Sequence, residues 1–145
     1  MSQESPGRIY ATFHLAGLRF AIDVAQVQEV LREQEMTPVP LAHPAIRGLI
    51  NLRGQVVTAI DMRKRLGLAP FVPGGPCMNV IVDFHGEPVS LLVDGVGDVM
   101  ELADAAFEPS PPTLDGPLRA LTSGLYKLSD GLCLVLATEK VLELA

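Results

Sequence analysis

The chain alternates between short runs of aliphatic and β-branched residues and turns that contain glycine, a pattern typical of antiparallel hairpins. One example is the pair of runs 9–15 and 18–22, which are separated by Ala16 and Gly17. The same layout predicts hairpins over residues 9–22, 46–60, 78–93 and 124–136. Short strands with closely spaced turns favour a mainly β fold built from small barrels.

Helical signals are brief and follow aspartate residues. Asp23 is suited to cap a helix, and the apolar residues of 24–31 recur at helical spacing, so the sequence predicts a short helix or a single turn there. Asp61 likewise precedes a short predicted helix over 62–66. Neither segment is long enough to change the expectation of a β protein.

The chain divides into two similar halves. Residues 69–76, rich in proline and glycine, separate two segments in which a hairpin, an Asp-containing turn and a second hairpin follow one another. The sequence therefore predicts an internal duplication, with subdomain 1 at about 9–68 and subdomain 2 at about 77–137. A closing helix at 138–145, which Thr138 is expected to cap, must bury apolar residues on one barrel. Periodicity does not decide which barrel, and subdomain 1 is the candidate.

Composition restricts the classes of partner. The sequence is 48% apolar and 19% charged, and its net charge of −6 without a basic run argues against binding nucleic acid or an anionic membrane. Cys77 and Cys133 form no CxxC pair, so neither a zinc site nor a redox motif is expected. Residues 1–8 lack the features of a signal peptide, and no apolar run approaches the ~20 residues that span a bilayer. We therefore expect a cytoplasmic protein with protein partners and no direct membrane insertion.

Signatures of catalysis are missing from the sequence. His14, His43 and His85 have no metal-ligand spacing, and the sequence contains no GxSxG, SxxK or phosphate-binding GxxxxGK[ST] motif. Carboxylates such as Asp23 and Asp94 recur at matching places in both halves, which favours helix caps and turns over acid–base chemistry. The sequence predicts no enzyme activity, no cofactor and no metal.

The segment GLINLRGQVVTAIDMR at residues 48–63 resembles the signature of the CheW family, in which an NLRG turn leads through an apolar strand to an Asp-aliphatic-Arg helix start. The similarity extends to residues 20–24 with 27–30, to 91–94 with 96–99, and to Gly124 with 130–131. The resemblance implies one CheW-like domain over 1–145, with two SH3-like five-stranded β-barrels. It also implies a scaffold that binds the cytoplasmic tip of chemoreceptors and the regulatory domain of the histidine kinase CheA.

In the family the receptor helix lies in a groove between the barrels. The residues that match the groove in this chain are Val27, Glu29, Val30, Gly48, Asn51, Arg53, Val96 and Val99. Arg53 is expected to orient the groove by pairing with Glu29, because a guanidinium can hold a carboxylate bidentately. The kinase is expected to dock at the strand edges around Thr37 and Val39.

Each of these residues also has a structural interpretation. Arg53 is an ordinary turn residue by position, and Gly48 can simply permit a bulge or a close backbone approach. The valines are by type more often core than interface, so their partial exposure distinguishes the two interpretations.

The leading functional hypothesis is a non-enzymatic adaptor that couples methyl-accepting chemoreceptors to the kinase, at membrane-bound receptor arrays. A CheW-like adaptor of a different chemosensory pathway, serving surface motility or array localisation, is the alternative. An enzyme with a site between the barrels would need polar groups with perturbed pKa values in one pocket. A nucleic-acid-binding barrel would need a basic stripe with interleaved aromatic residues.

Overall fold

The computed structural model describes residues 7–144, so the expectations for residues 1–6 and 145 lie outside the described part. Ten strands form most of the fold: β1 Gly7–Leu15, β2 Leu18–Asp23, β3 Val27–Arg32, β4 Ile46–Leu52, β5 Gln55–Asp61, β6 Met78–Phe84, β7 Glu87–Val93, β8 Gly95–Ala103, β9 Thr122–Leu128 and β10 Gly131–Leu136. The helices are α1 Met62–Arg65, α2 Gly116–Ala120 and α3 Thr138–Leu142, and 3₁₀ turns occupy Val24–Gln26 and Asp104–Ala106. No helix within 7–144 has the length and apolar character needed to cross a membrane.

The four predicted hairpins are confirmed as β1–β2, β4–β5, β6–β7 and β9–β10. At the tip of the second hairpin, Arg53 and Gly54 both adopt left-handed backbone conformations, with φ of 52° and 84°. Two successive left-handed residues match the right-handed twist of the flanking strands, which is why such turns join hairpins. Local chemistry is therefore sufficient to place these turns.

The segment after Asp23 is only partly as predicted. The Asp23 carboxylate accepts a hydrogen bond from the Ala25 amide at 2.9 Å and caps the single 3₁₀ turn 24–26. The helical interpretation of Val27, Val30 and Leu31 is wrong, because these residues lie in β3, which pairs with β6. Residues of β3 alternate between half-buried and exposed, which is the period of a strand.

The α1 helix is confirmed. The Asp61 carboxylate accepts a hydrogen bond from the Lys64 amide at 2.9 Å, and Met62 is buried beneath the helix. The helix ends before Gly67, whose φ of 71° suits a helix terminus.

The chain forms two five-stranded sheets, and the strands of one sheet are not consecutive in the sequence. Sheet 1 has the order β8-β1-β2-β10-β9, and sheet 2 has the order β3-β6-β7-β5-β4. Sheet 2 therefore takes its strands from residues 27–93, whereas sheet 1 combines 7–23 with 95–136. The boundaries 9–68 and 77–137 do not coincide with the sheets, since each sheet draws strands from both segments.

The duplicated plan is nevertheless present in the strand order. The counterparts of β3, β6, β7, β5 and β4 in the other sheet are β8, β1, β2, β10 and β9. The two sheets therefore have the same strand order. Both sheets contain one parallel pair, β2–β10 and β5–β7. Each is closed by an isolated bridge from the segment after its edge strand, Thr37 to Leu49 and Glu108 to Leu125. These bridges turn the sheets into two barrels.

The main core lies between the barrels and includes residues of both sheets, such as Phe13 and Val82. The α3 helix contributes Val141 and Leu142 to this core. Arg65 of α1 donates hydrogen bonds to the carbonyl oxygens of Lys140, Val141 and Glu143, so α3 docks against α1.

The predicted cap of the closing helix is wrong. Ala137 occupies the N-cap position, and the hydroxyl of Thr138 donates instead to Oε1 of Gln26 at 3.2 Å. This bond joins α3 to the 3₁₀ turn that follows β2.

Candidate partner-binding site

The residues matched to the receptor groove lie on edge strands of both barrels. Three are on β3 at the edge of sheet 2, three are on β4 and the turn after it, and two are on β8 at the edge of sheet 1: Val27, Glu29, Val30, Gly48, Asn51, Arg53, Val96 and Val99. Because β3 and β8 are counterparts in the duplication, the two barrels present equivalent strands. The turn at 24–26, which immediately precedes β3, packs against both β1 and β6, one strand of each sheet.

Three of the four valines are exposed, which separates them from ordinary core positions. Val30 is 41% exposed, Val96 43% and Val99 62%, while Val27 is half-buried. Aliphatic side chains held in water on the edge strands of the two sheets favour burial against another protein. The exposure therefore meets the condition that distinguishes interface from core for these three residues.

Arg53 and Glu29 form a bidentate ion pair. The guanidinium donates from Nη1 to Oε1 at 3.2 Å and from Nη2 to Oε2 at 2.5 Å. Hydrogen bonding to Arg53 lowers the pKa of Glu29, and the same bonds raise the pKa of Arg53. The pair joins β3 to the β4–β5 turn, at opposite edges of sheet 2, and so helps to close the barrel.

Asn51 shapes the turn that carries Arg53. Its side-chain Oδ1 accepts a hydrogen bond from the Gly54 amide at 2.9 Å. An asparagine that bonds to the backbone a few residues ahead stabilises a tight turn. Asn51 thus supports the left-handed conformation from which Arg53 reaches Glu29.

Gly48 is buried and lies beneath the chain segment that closes the barrel. A Cβ atom there would be 2.8 Å from the carbonyl oxygen of Thr37. Close backbone approach, the structural interpretation of this glycine, is therefore observed. Gly48 allows the closing bridge to form and offers no exposed side for a partner.

The two residues predicted to bind the kinase lie on the segment that crosses β4. The backbone of Thr37 exchanges two hydrogen bonds with Leu49, at 2.9 and 2.8 Å, so it is not a free strand edge. Val39 is 38% exposed. A cleft of about 520 Å³ is lined by both Thr37 and Asn51, which brings a residue of each predicted partner site to the same cavity.

A single residue, Asp94, connects the two sheets where the chain passes from β7 to β8. Its carboxylate accepts hydrogen bonds from the Ala16 amide at 2.8 Å and from Nε and Nη2 of Arg63 at 2.8 and 2.6 Å. Ala16 is in the β1–β2 turn of sheet 1, and Arg63 is in α1, which follows β5 of sheet 2. Asp94 therefore fixes the start of β8 relative to the other barrel. The sequence indicated only a cap or turn former here, because the partners are distant along the chain.

We expect Asp94→Asn to lower the free energy of unfolding by about 2 kcal/mol, since hydrogen bonds to a charged group are lost. Burial tends to raise the pKa of Asp94, but the hydrogen bonds from Arg63 and the Ala16 amide lower it below its ordinary value. The stabilisation is therefore complete above pH 3.8, the ordinary pKa, and is lost as the pH falls through the lower folded pKa. Urea unfolding at several pH values measures both effects.

Asp83→Asn is the matched control, because Asp83 forms no salt bridge with any residue of 7–144. An Asp94→Asn variant as stable as the wild type at neutral pH would contradict the assignment.

Two exposed aliphatic residues beside the hairpin turns were not predicted from the sequence as candidate interface residues. Val56 is 65% exposed and lies opposite Asn51, and Leu132 is 51% exposed at the equivalent place in β10. Neighbouring residues of a strand point to opposite faces, so one residue of the pair Val56 and Val57 had to face outwards. That signal was available in the sequence.

The histidines are dispersed. His43 Nδ1 accepts a hydrogen bond from the Ala45 amide at 3.0 Å, and His85 contacts Glu139 at 2.9 Å. Within residues 7–144, no three His, Cys, Asp or Glu side chains are grouped to hold a metal ion.

Comparison with known proteins agrees with this fold. A family model described as a CheW-like domain matches residues 10–145. The chain is 34% identical over 105 residues to a chemotaxis protein CheW of Bacillus subtilis, covering 72% of this chain and 67% of that protein. It is 28% identical over 130 residues to a chemotaxis protein CheW of Rhizobium meliloti, covering 89% and 84% of the two chains.

Among solved structures, the scaffolding protein TtCheW of Thermoanaerobacter tengcongensis superposes with a TM-score of 0.83. The identity is 28%, and the match covers 95% of this chain and 94% of that one. The family model covers nearly the whole of residues 7–144, and this chain therefore belongs to the CheW-like domain family.

Proposed function

We propose that this protein is a non-enzymatic chemotaxis adaptor, which couples the cytoplasmic tip of methyl-accepting receptors to the regulatory domain of the kinase CheA. It would act in the cytoplasm, at membrane-bound receptor arrays. The observation that carries the proposal is the exposure of Val30, Val96 and Val99 on the edge strands of the two barrels, with the Arg53–Glu29 pair next to Val30. The names of the relatives, chemotaxis proteins and a scaffolding protein, support the same role.

A receptor tip is a helical hairpin, and a helix binds through apolar residues that recur along one face. Aliphatic walls with a few polar groups at the margin are suited to such a helix. Val30, Val96 and Val99 would supply the apolar area. Arg53 and Glu29 would set the register, because charged groups at the rim contribute more to specificity than to affinity.

The kinase would bind on sheet 2 around Thr37 and Val39, next to the receptor site, since Thr37 and Asn51 line the same cleft. Val39 is partly exposed on a proline-flanked segment that is fastened to β4 by the Thr37 bridge. A rigid, partly apolar segment loses little conformational freedom when a partner covers it.

The test is a binding experiment with the purified chain, a receptor signalling fragment and the kinase regulatory domain. We expect each partner to bind alone and all three to form one complex on size-exclusion chromatography. If either partner fails to bind, the coupling function is wrong.

The valines provide a mutational test. We expect Val99→Lys to weaken binding of the receptor fragment about tenfold, because a charge would enter an apolar contact. Kinase binding should be unchanged. Leu132→Lys is the matched control, since Leu132 is 51% exposed on β10 and belongs to neither proposed site. Isothermal titration calorimetry of the wild type and both variants with each partner measures the six affinities, and equal receptor affinities for the two variants would remove Val99 from the interface.

A further inference from the structure

Each barrel has a small outer core of its own, separate from the main core between the barrels. Outer core 1, in sheet 1, contains Tyr10, Ala21, Leu102, Tyr126, Cys133 and Val135. Outer core 2, in sheet 2, contains Ile50, Val57, Ala59 and Leu92. Because the barrels are duplicates, the two clusters occupy equivalent places. The two barrels can therefore be compared by the segment that covers each cluster.

In sheet 2 the outer core is covered by the loop 69–76. Phe71 and Cys77 pack against it, and the guanidinium of Arg63 stacks over the Phe71 ring at 5.1 Å. A cavity of only about 130 Å³ remains beside this loop. A proline-rich, extended segment thus closes the barrel with one aromatic side chain.

Among the described residues, 7–144, nothing covers the equivalent place in sheet 1. Counted back from the hairpin turns, Arg8 corresponds to Cys77, and Tyr10 corresponds to Asn79. Counted from the closing bridges, Phe107 corresponds to Met36. Arg8, Tyr10 and Phe107 line a cavity of about 740 Å³, far larger than its counterpart. Among residues 7–144, no side chain takes the position that Phe71 holds in the other barrel.

The walls of this cavity are aromatic. Tyr126 packs edge-on against Phe107, with ring centroids 5.5 Å apart, and against Tyr10 at 5.7 Å. The hydroxyl groups of Tyr10 and Tyr126 are 3.4 Å apart and bond to each other, so their polar atoms have partners. Such walls favour another aromatic ring, which packs edge-to-face in the same way.

The rim of the cavity carries a net negative charge. Arg8 pairs with Asp104 at 3.6 Å, and a second carboxylate, that of Asp23, also lines the cavity. A ligand with a positive charge next to its aromatic group would complement this rim.

We propose that the open barrel of sheet 1 binds an extended, proline-flanked segment of a partner protein, which inserts one aromatic side chain as Phe71 does in sheet 2. This site is distinct from the edge strands assigned to the receptor and from the segment assigned to the kinase. Its existence does not depend on the proposed adaptor function.

Tyrosine fluorescence tests the proposal directly. The chain has two tyrosines and no tryptophan, and both tyrosines line this cavity. The probe is a synthetic peptide with the sequence of residues 68–76, LAPFVPGGP, which contains neither tyrosine nor tryptophan. We expect it to change the tyrosine emission of the full chain in a saturable way. The same peptide with its phenylalanine replaced by alanine should bind at least tenfold more weakly.

Two further arms distinguish this cavity from non-specific contact. Ser123→Leu fills the cavity from an exposed position and should abolish the fluorescence change, whereas Ser129→Leu, at the other end of β9, should leave it intact. A peptide with an added N-terminal lysine should bind at least twofold more tightly at low salt. The proposal is overturned if the probe gives no saturable change, or if the alanine peptide or the Ser123→Leu variant binds equally well. Loss of the lysine effect alone would overturn the role of the rim carboxylates.

Discussion

Replacing Gly124 with alanine is expected to lower the free energy of unfolding by about 3 kcal/mol, the upper end of the usual cost of overpacking. Gly124 is buried in β9, and an added Cβ would overlap the ring of Phe107 and the carbonyl oxygen of Glu108. That carbonyl belongs to the bridge between Glu108 and Leu125, whose two hydrogen bonds are both 2.8 Å long. The substitution therefore opens the closure of the sheet 1 barrel. Urea denaturation followed by circular dichroism measures the loss.

The other glycines provide a graded series of controls. Gly48→Ala should cost less, because its Cβ would be 2.8 Å from the Thr37 carbonyl, a milder overlap at the equivalent bridge of sheet 2. Gly95→Ala should leave the stability nearly unchanged, since nothing lies within 4 Å of the added atom. A different order of these three variants would mean that the bridges do not control the closure of the barrels.

Reversing the charge of Arg53 is expected to have the largest effect on receptor binding. Arg53→Glu would place two carboxylates side by side at the margin of the proposed interface, where Arg53 now holds Glu29 with two hydrogen bonds. We expect the affinity for a receptor signalling fragment to fall at least tenfold, about the effect of a like-charge mismatch at an interface. The midpoint of urea unfolding should hardly move, because exposed ion pairs contribute little to stability.

Lys127→Glu is the matched control for this experiment. Lys127 pairs with Glu108 on the other barrel, and its side chain is 69% exposed, close to the 68% of Arg53. This variant reverses an equally exposed charge at a place with no assigned partner. If both variants weaken receptor binding to the same extent, the effect comes from net charge and not from the site around Arg53.

Local features of the fold could be predicted from the sequence because their causes are local. The turn at Arg53 and Gly54 needs left-handed backbone next to alternating strands, and Asp61 caps α1 through a bond three residues away. The Arg53–Glu29 pair was also expected, but from the family resemblance, since nothing in the pattern joins two residues so far apart.

Long-range pairing could not be predicted in the same way. The parallel contacts of β2 with β10 and of β5 with β7 leave no periodic signal, so the division at 69–76 assigned strands to the wrong partners. The error at β3 has a related cause. The apolar spacing of Val27, Val30 and Leu31 fits a helix as well as an edge strand, and only pairing with β6 decides between them.

The continuity of sheet 2 along the chain affects how the protein forms as it is synthesised. All five strands of sheet 2 have been synthesised once the chain reaches Val93. Sheet 1 is complete only after β9 and β10 have been added to β1 and β2. At ~5–20 residues per second, the N-terminal hairpin therefore spends several seconds with unpaired edges beside an already complete neighbour. Its apolar residues Phe13 and Phe20, which stack on each other in the finished protein, are exposed to chaperones during that interval.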